Sequence, residues 1–139
     1  MIRPILLFFS VYLFFLPLCA QEKLPITVAD IPMACEQNAV YLTDFNVKRL
    51  AGGKTGFVII RAGDGEGTKI LNHRFNIVSK YLKKYLGESN LIFARGEAVS
   101  GEGRVELYLG GDLYLIMFAR KGRVPCMNCC GYDFQRGRF

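Results

Sequence analysis

Hydrophobic positions along this chain change period twice between residues 57 and 95. Phe57 to Arg61, "FVIIR", is a short, β-branched apolar run bounded by glycines, the pattern of a buried strand. After the loop "AGDGEG", Leu71, Phe75, Val78, Leu82 and Tyr85 recur at steps of four and three. That spacing predicts an amphipathic helix capped by Thr68, running to about Leu86 and stopped by Gly87. Leu91 to Arg95, "LIFAR", reads as the next strand, and a helix between two strands implies a parallel pair with a right-handed crossover. "RVELYLGGDLYLIMFAR" then alternates about Gly110-Gly111, which predicts a hairpin with a tight turn. Upstream, Ile31 to Ala51 suits a helix with Asp30 as cap, Pro32 in the first turn and Gly52-Gly53 as the stop, although its apolar stripe is less regular. The expected fold class is α/β (α+β), a two-layer sandwich of about two helices packed on a mixed sheet of about four strands, ending in a C-terminal hairpin.

The first twenty residues follow another logic. Arg3 gives a positive start, Ile5 to Leu16 an almost unbroken apolar run, and Leu18-Cys19-Ala20 a small-residue exit, so residues 1–20 read as a secretory signal peptide cut before Gln21. The run is shorter than the roughly 20 apolar residues of a spanning helix, and Pro17 interrupts it. Acylation of Cys19 is disfavoured by Leu18, which stands where lipoprotein sites take a small residue. The expected product is exported, periplasmic or otherwise associated with the cell envelope, with no membrane span after cleavage. Residues 21–122 form one domain, and residues 123–139 a Cys-rich, basic tail ending in "GYDFQRGRF", whose composition suits a poorly structured end.

Charge and cysteines narrow the picture further. The net charge of the 139 residues is +6, one unit of it on Arg3, a balance that favours anionic surfaces, while export argues against nucleic acid. After cleavage four cysteines remain: Cys35, and Cys126, Cys129 and Cys130 in "PCMNCC". In an exported chain that even count points to disulfides, and a bond from Cys35 to one of the other three would staple the two ends of the fold. Zinc chemistry at "CMNC" lacks a second ligand pair, since His73 is the single histidine and lies within the predicted helix. Thioredoxin-like chemistry would want the motif at the start of a helix, and Gly131-Tyr132-Asp133 follows instead. No metal or cofactor is expected.

The loop "GDGEG" contains the candidate chemistry. It lacks the Lys-Ser/Thr ending of a phosphate loop and the twelve-residue spacing of a calcium hand. Glu97 and Glu102 could be imagined as a glycosidase pair, but two loop glutamates are more often surface residues, and His73 falls on the polar helix face, so no catalysis is expected. With Leu71 at the centre of the apolar stripe, Arg74 sits at about 300° on its flank, one turn inside the helix and under Asp64. An arginine fork takes a carboxylate and an aspartate takes an ammonium group, so Asp64 and Arg74 together would match a zwitterionic amino-acid end; alternatively they only pair with each other or with water. On the flank position, truncation of Arg74 should cost binding and little stability.

The order strand, acidic-glycine loop, helix with "R..NIVSKYL", strand with "ARGE" and then "GRVEL" resembles the OmpA-like peptidoglycan-binding domain at the C-terminus of outer-membrane protein A and its relatives. Over Phe57 to Leu109, Asp64 falls at the family's aspartate and Arg74 at its helix arginine. Val78, Tyr81 and Leu82 fall at the helix core, Gly96 and Glu97 at the glycine-glutamate pair, and Arg104, Val105 and Glu106 at the last strand. This strand ends "RAGD" where the family has Gly-His-Thr-Asp, the loop to Arg74 and the segment "AVSGEG" are shorter, and Gly110-Gly111 adds a strand. The resemblance implies a non-catalytic module that attaches to peptidoglycan, whose diaminopimelate side chain is such a zwitterionic end. The rival reading is a module that presents the lysines of its helix, Lys80, Lys83 and Lys84, or an edge strand to another envelope protein.

Overall fold

The structure, a computed structural model, describes residues 33–127. The proposed signal peptide, Cys19, Cys129, Cys130 and "GYDFQRGRF" lie outside that range. The element order is α1 (Cys35–Ala51), β1 (Gly56–Arg61), α2 (Thr68–Leu86), β2 (Leu91–Arg95), β3 (Gly103–Leu109) and β4 (Asp112–Ala119). The strands form one mixed sheet in the order β2-β1-β3-β4, with β1 parallel to β2 and antiparallel to β3, and β3 antiparallel to β4. Both helices pack on one face of it, which is the two-layer α+β sandwich that the hydrophobic period predicts.

Local chemistry explains the element ends. Gly110 and Gly111, at φ 63° and 101°, form the two-residue turn of the hairpin, a conformation that suits glycine because both positions need φ > 0. Gly87 stops α2 at φ 81°. The residue preceding α2 is Gly67, and Thr68 is its first helical position instead of its cap. α1 starts at Cys35, later than Ile31: Ala34 is extended, and Gln37 Oε1 accepts from the Ala34 amide at 3.3 Å. Asp30 and Pro32 lie outside the described residues.

The core is built from alternate strand residues, Val58 and Ile60, Val105 and Leu107, Leu115 and Met117, beneath Leu42 and Phe45 of α1 and Ile77, Val78, Leu82 and Leu86 of α2. A register shift in β4 leaves Tyr114 as an extra residue between Leu113, opposite Tyr108, and Leu115, opposite Leu107. Tyr114 meets the Phe45 ring at 5.5 Å and hydrogen-bonds Asp44, which in turn holds Lys48 at 2.8 Å. Arg49 is buried and ties the helices together by donating to the carbonyls of Leu86 and Ser89 and to Asn46 Oδ1, so its charge rests on the carbonyl end of α2.

The core continues past β4. Val124 and Met127 are buried in it, the Cys126 carbonyl accepts from buried Asn38, and the Met127 carbonyl accepts from Tyr81. Cys126 is bonded to Cys35 with Cα atoms 4.8 Å apart, so the staple between the ends of the fold is Cys35–Cys126. Residues 123–127, assigned to the tail from composition, therefore pack as part of the domain. The apolar residues Val124 and Met127 are what hold them there.

Candidate functional site

Three loops meet at the C-terminal end of β1 because the sheet register brings them together. Arg61 at the end of β1 pairs with Arg104, and Gly103 at the start of β3 pairs with Ala119 at the end of β4. The loops beyond these residues line an open cleft of about 320 Å³ formed by Gly63, Asp64, Glu66, Gly101, Glu102, Gly103 and Lys121. Gly63 lies against the backbone of Gly101 to Gly103, where a side chain would have no room. That approach lets the Asp64 amide donate to the Gly101 carbonyl at 2.8 Å while the Gly101 amide donates to Asp64 Oδ2 at 2.7 Å. The exposed Asp64 keeps its second carboxylate oxygen without a partner among the described residues.

Glu66 lines the cleft and pairs with the buried Arg74 beneath it. Arg74 Nη1 donates to Glu66 Oε2 at 2.8 Å and Nη2 to Oε1 at 2.6 Å, the two-point geometry of a guanidinium on a carboxylate. Arg74 Nη1 also reaches the Arg61 carbonyl and Nε the Arg123 carbonyl, both at 2.9 Å. Glu66 accepts in addition from the amides of Gly63 and Gly122, each at 2.7 Å. Burial pushes the Glu66 carboxyl up, but the Arg74 hydrogen bonds and the two amides outweigh it and bring its pKa down to about 2. A side chain at Gly103 would run into this pair.

The expectation for Arg74 is thereby corrected. It is fully buried instead of lying on the flank of the stripe, it pairs with Glu66 and not with Asp64, and four of its five N–H groups are taken. The physical reason is the row Arg74, Val78, Leu82, Leu86 at steps of four, which is the buried face of α2, while Tyr85 stands 47 % exposed. A buried arginine is tolerated there only because Glu66 neutralises it. As a fork for a ligand carboxylate, Arg74 is spent.

Asp64 lines the cleft, without Arg74, which pairs with Glu66. Sequence reasoning missed Lys121, the exposed cation of the cleft, whose Nζ lies over Gly65. The signal for it exists only in the register that sets the ends of β1 and β4 on either side of the start of β3. Glu102 is half-buried in the cleft wall, Glu97 is exposed outside it, and His73 is exposed on α2. A larger cavity, about 440 Å³, lies beside the disulfide, between Met33, Phe118, Arg123 and Val124. Among the described residues, no group of three or more His, Cys, Asp or Glu side chains is placed to hold a metal ion, and no helix is long and apolar enough to cross a membrane. Compared with protein-family models, with curated proteins and with solved structures, the chain matches none.

Proposed function

We propose that the protein is an exported, non-catalytic binding module of the cell envelope that takes a zwitterionic amino-acid end, such as the diaminopimelate side chain of peptidoglycan, in the cleft at the end of β1. The observation that carries this reading is the charge pattern of the cleft. Asp64 and Glu102 offer carboxylates to an ammonium group, and Lys121 offers a cation to a carboxylate. The role that Arg74 has in the resemblance passes to Lys121, and Arg74 becomes a positioning residue. Through Glu66 it holds the amides of Gly63 and Gly122, which flank Asp64 and Lys121.

Sedimentation with purified sacculi, with free diaminopimelate as competitor, tests the reading. The parent protein should pellet with sacculi, and Asp64→Asn and Lys121→Gln should each weaken retention while melting at the parent temperature. An Asn at position 64 can still accept the Gly101 amide, so lost retention would report the charge and not the loop. No pelleting by the parent protein would leave the rival reading, a module that docks another envelope protein, in front. Exposed apolar side chains on the sheet, Phe57 at 37 % and Ile92 at 50 %, favour that second reading.

A further inference from the structure

Among the described residues, the helices cover one face of the sheet and leave the other without a second layer, and the strand register maps that second face row by row. Ile92, Phe57 and Tyr108 stand side by side across β2, β1 and β3, followed by Ala94, Ile59, Glu106 and Ile116, and then by Arg61, Arg104 and Phe118. Two arginines in direct cross-strand register repel each other, and a sheet stable only through its own packing has no use for such a pair. Here the repulsion is relieved by one buried carboxylate. Arg61 Nε donates to Glu106 Oε2 at 3.0 Å, Arg104 Nε to Glu106 Oε1 at 2.7 Å, and the Tyr108 hydroxyl to Oε2 at 2.9 Å.

This arrangement fixes both guanidinium groups by their Nε edges and leaves donors over. Arg61 reaches one further acceptor, the Glu97 carbonyl at 3.4 Å, while its Nη2 and both Nη groups of Arg104 have no hydrogen-bond partner among the described residues. The two side chains are 23 % and 29 % exposed, so they are held against the face and not free in solvent. The triad has one more positive than negative charge, beside a half-exposed apolar row that ends at Ile92 on the sheet edge.

We propose that this face docks an acidic, apolar segment of another protein, whose carboxylates seat on Arg61 and Arg104 and whose apolar side chains cover Phe57 and Ile92. Charge decides the occupant. A second copy laid on the same face would set arginine pair against arginine pair, whereas a carboxylate completes the donors that Glu106 leaves over. Prefixed guanidinium groups lose little side-chain freedom on binding, which is what a docking face needs. Glu106 touches no partner in this arrangement and acts as the positioning residue. The proposal does not depend on the cleft, which lies in the loops beyond the end of β1.

The test is amide and arginine Nε NMR on the disulfide-bonded protein. The probes are an arrayed set of short blocked peptides that alternate Ile, Val or Phe with Glu, and the same set with Gln for Glu. Glu peptides should shift the signals of Phe57, Ile92, Tyr108 and the Nε groups of Arg61 and Arg104, and should bind about tenfold or more tightly than their Gln counterparts. Arg104→Gln leaves Arg61 and Tyr108 on Glu106, so it should keep a folded spectrum and lose that preference, and Ile92→Ser should weaken both peptide sets alike. Equal binding of Glu and Gln sets, shifts confined to the loops around Asp64 or to α1, or no shift with any peptide would overturn the proposal. So would binding to phosphatidylglycerol vesicles without binding to any peptide, since the face would then serve a lipid surface.

Discussion

Arg74 and Glu66 meet in a two-point ion pair at 2.6 and 2.8 Å, with side-chain exposures of 0 % and 1 %. Removing one partner strands the other charge in the interior, so Arg74→Ala should destabilise the fold by about 3 to 5 kcal/mol. That equals or exceeds the cost of Leu82→Ala, about 2 to 5 kcal/mol for a core leucine. Chemical denaturation of both variants checks it. Replacing both partners, Arg74→Met with Glu66→Leu, should recover only part of the loss, because the amides of Gly63 and Gly122 would remain without their acceptor.

The same pair sets the acid limit of the fold. The pKa of Glu66 is about 2 in the folded chain and 4.5 by its ordinary value, so folding favours the charged form. Its contribution, on the order of 3 kcal/mol, is present in full above about pH 5 and is lost as the pH falls through about 2. Unfolding free energies followed from pH 6 to pH 2 should therefore fall for the parent and much less steeply for Glu66→Gln, which starts lower. Equal slopes would assign the acid sensitivity to other groups, among them Glu106, whose carboxyl is pushed up by burial but held low overall by Arg61 and Arg104.

The staple spans a sequence separation of 91 residues. In the chain-entropy treatment such a loop is worth about 4 to 5 kcal/mol, so the paired variant Cys35→Ser/Cys126→Ser should lower the denaturation midpoint by a corresponding amount. Non-reducing peptide mapping of the protein from its native compartment should give a Cys35–Cys126 bridged peptide. A bridge from Cys35 to Cys129 or Cys130 instead would rule out this pairing.

Two glycines near the cleft should respond in opposite ways. At Gly103 an added methyl group meets the Arg74 guanidinium and the Glu66 carboxylate, so Gly103→Ala should cost at least about 2 kcal/mol. Gly67 precedes α2 in an extended conformation with nothing within 4 Å of the added atom, so Gly67→Ser should be neutral or stabilise by a few tenths of a kcal/mol through capping, roughly the margin expected between those caps. Thermal melts of the two variants side by side decide it.

How far the molecule could be read from its residues varies element by element. β2 ends where the apolar run ends, α2 spans Thr68 to Leu86, and the hairpin turns at Gly110-Gly111, because each rests on a local period or a local φ requirement. The rotation of α2 was not legible. A hydrophobic stripe counts arginine as polar, which puts Leu71 at the centre and Arg74 at the edge, whereas the row through Arg74 is the buried one. Choosing between Asp64 and Glu66 as its partner needed the close approach of Gly63 to the start of β3, a long-range contact that no short motif encodes. Lys121, Val124 and Met127 were hidden for the same reason. Their roles come from strand register and from a disulfide, not from their neighbours in sequence.

Because α1 rests on β4 and is bonded to Cys126, the first and last described elements of the domain close on each other. A chain emerging N-terminus first from the ribosome therefore cannot complete its core until Met127 has followed. Until β4 has emerged, Leu42 and Phe45 lack the strand against which α1 packs. An oxidant that then joins Cys35 to Cys126 fixes that closure covalently.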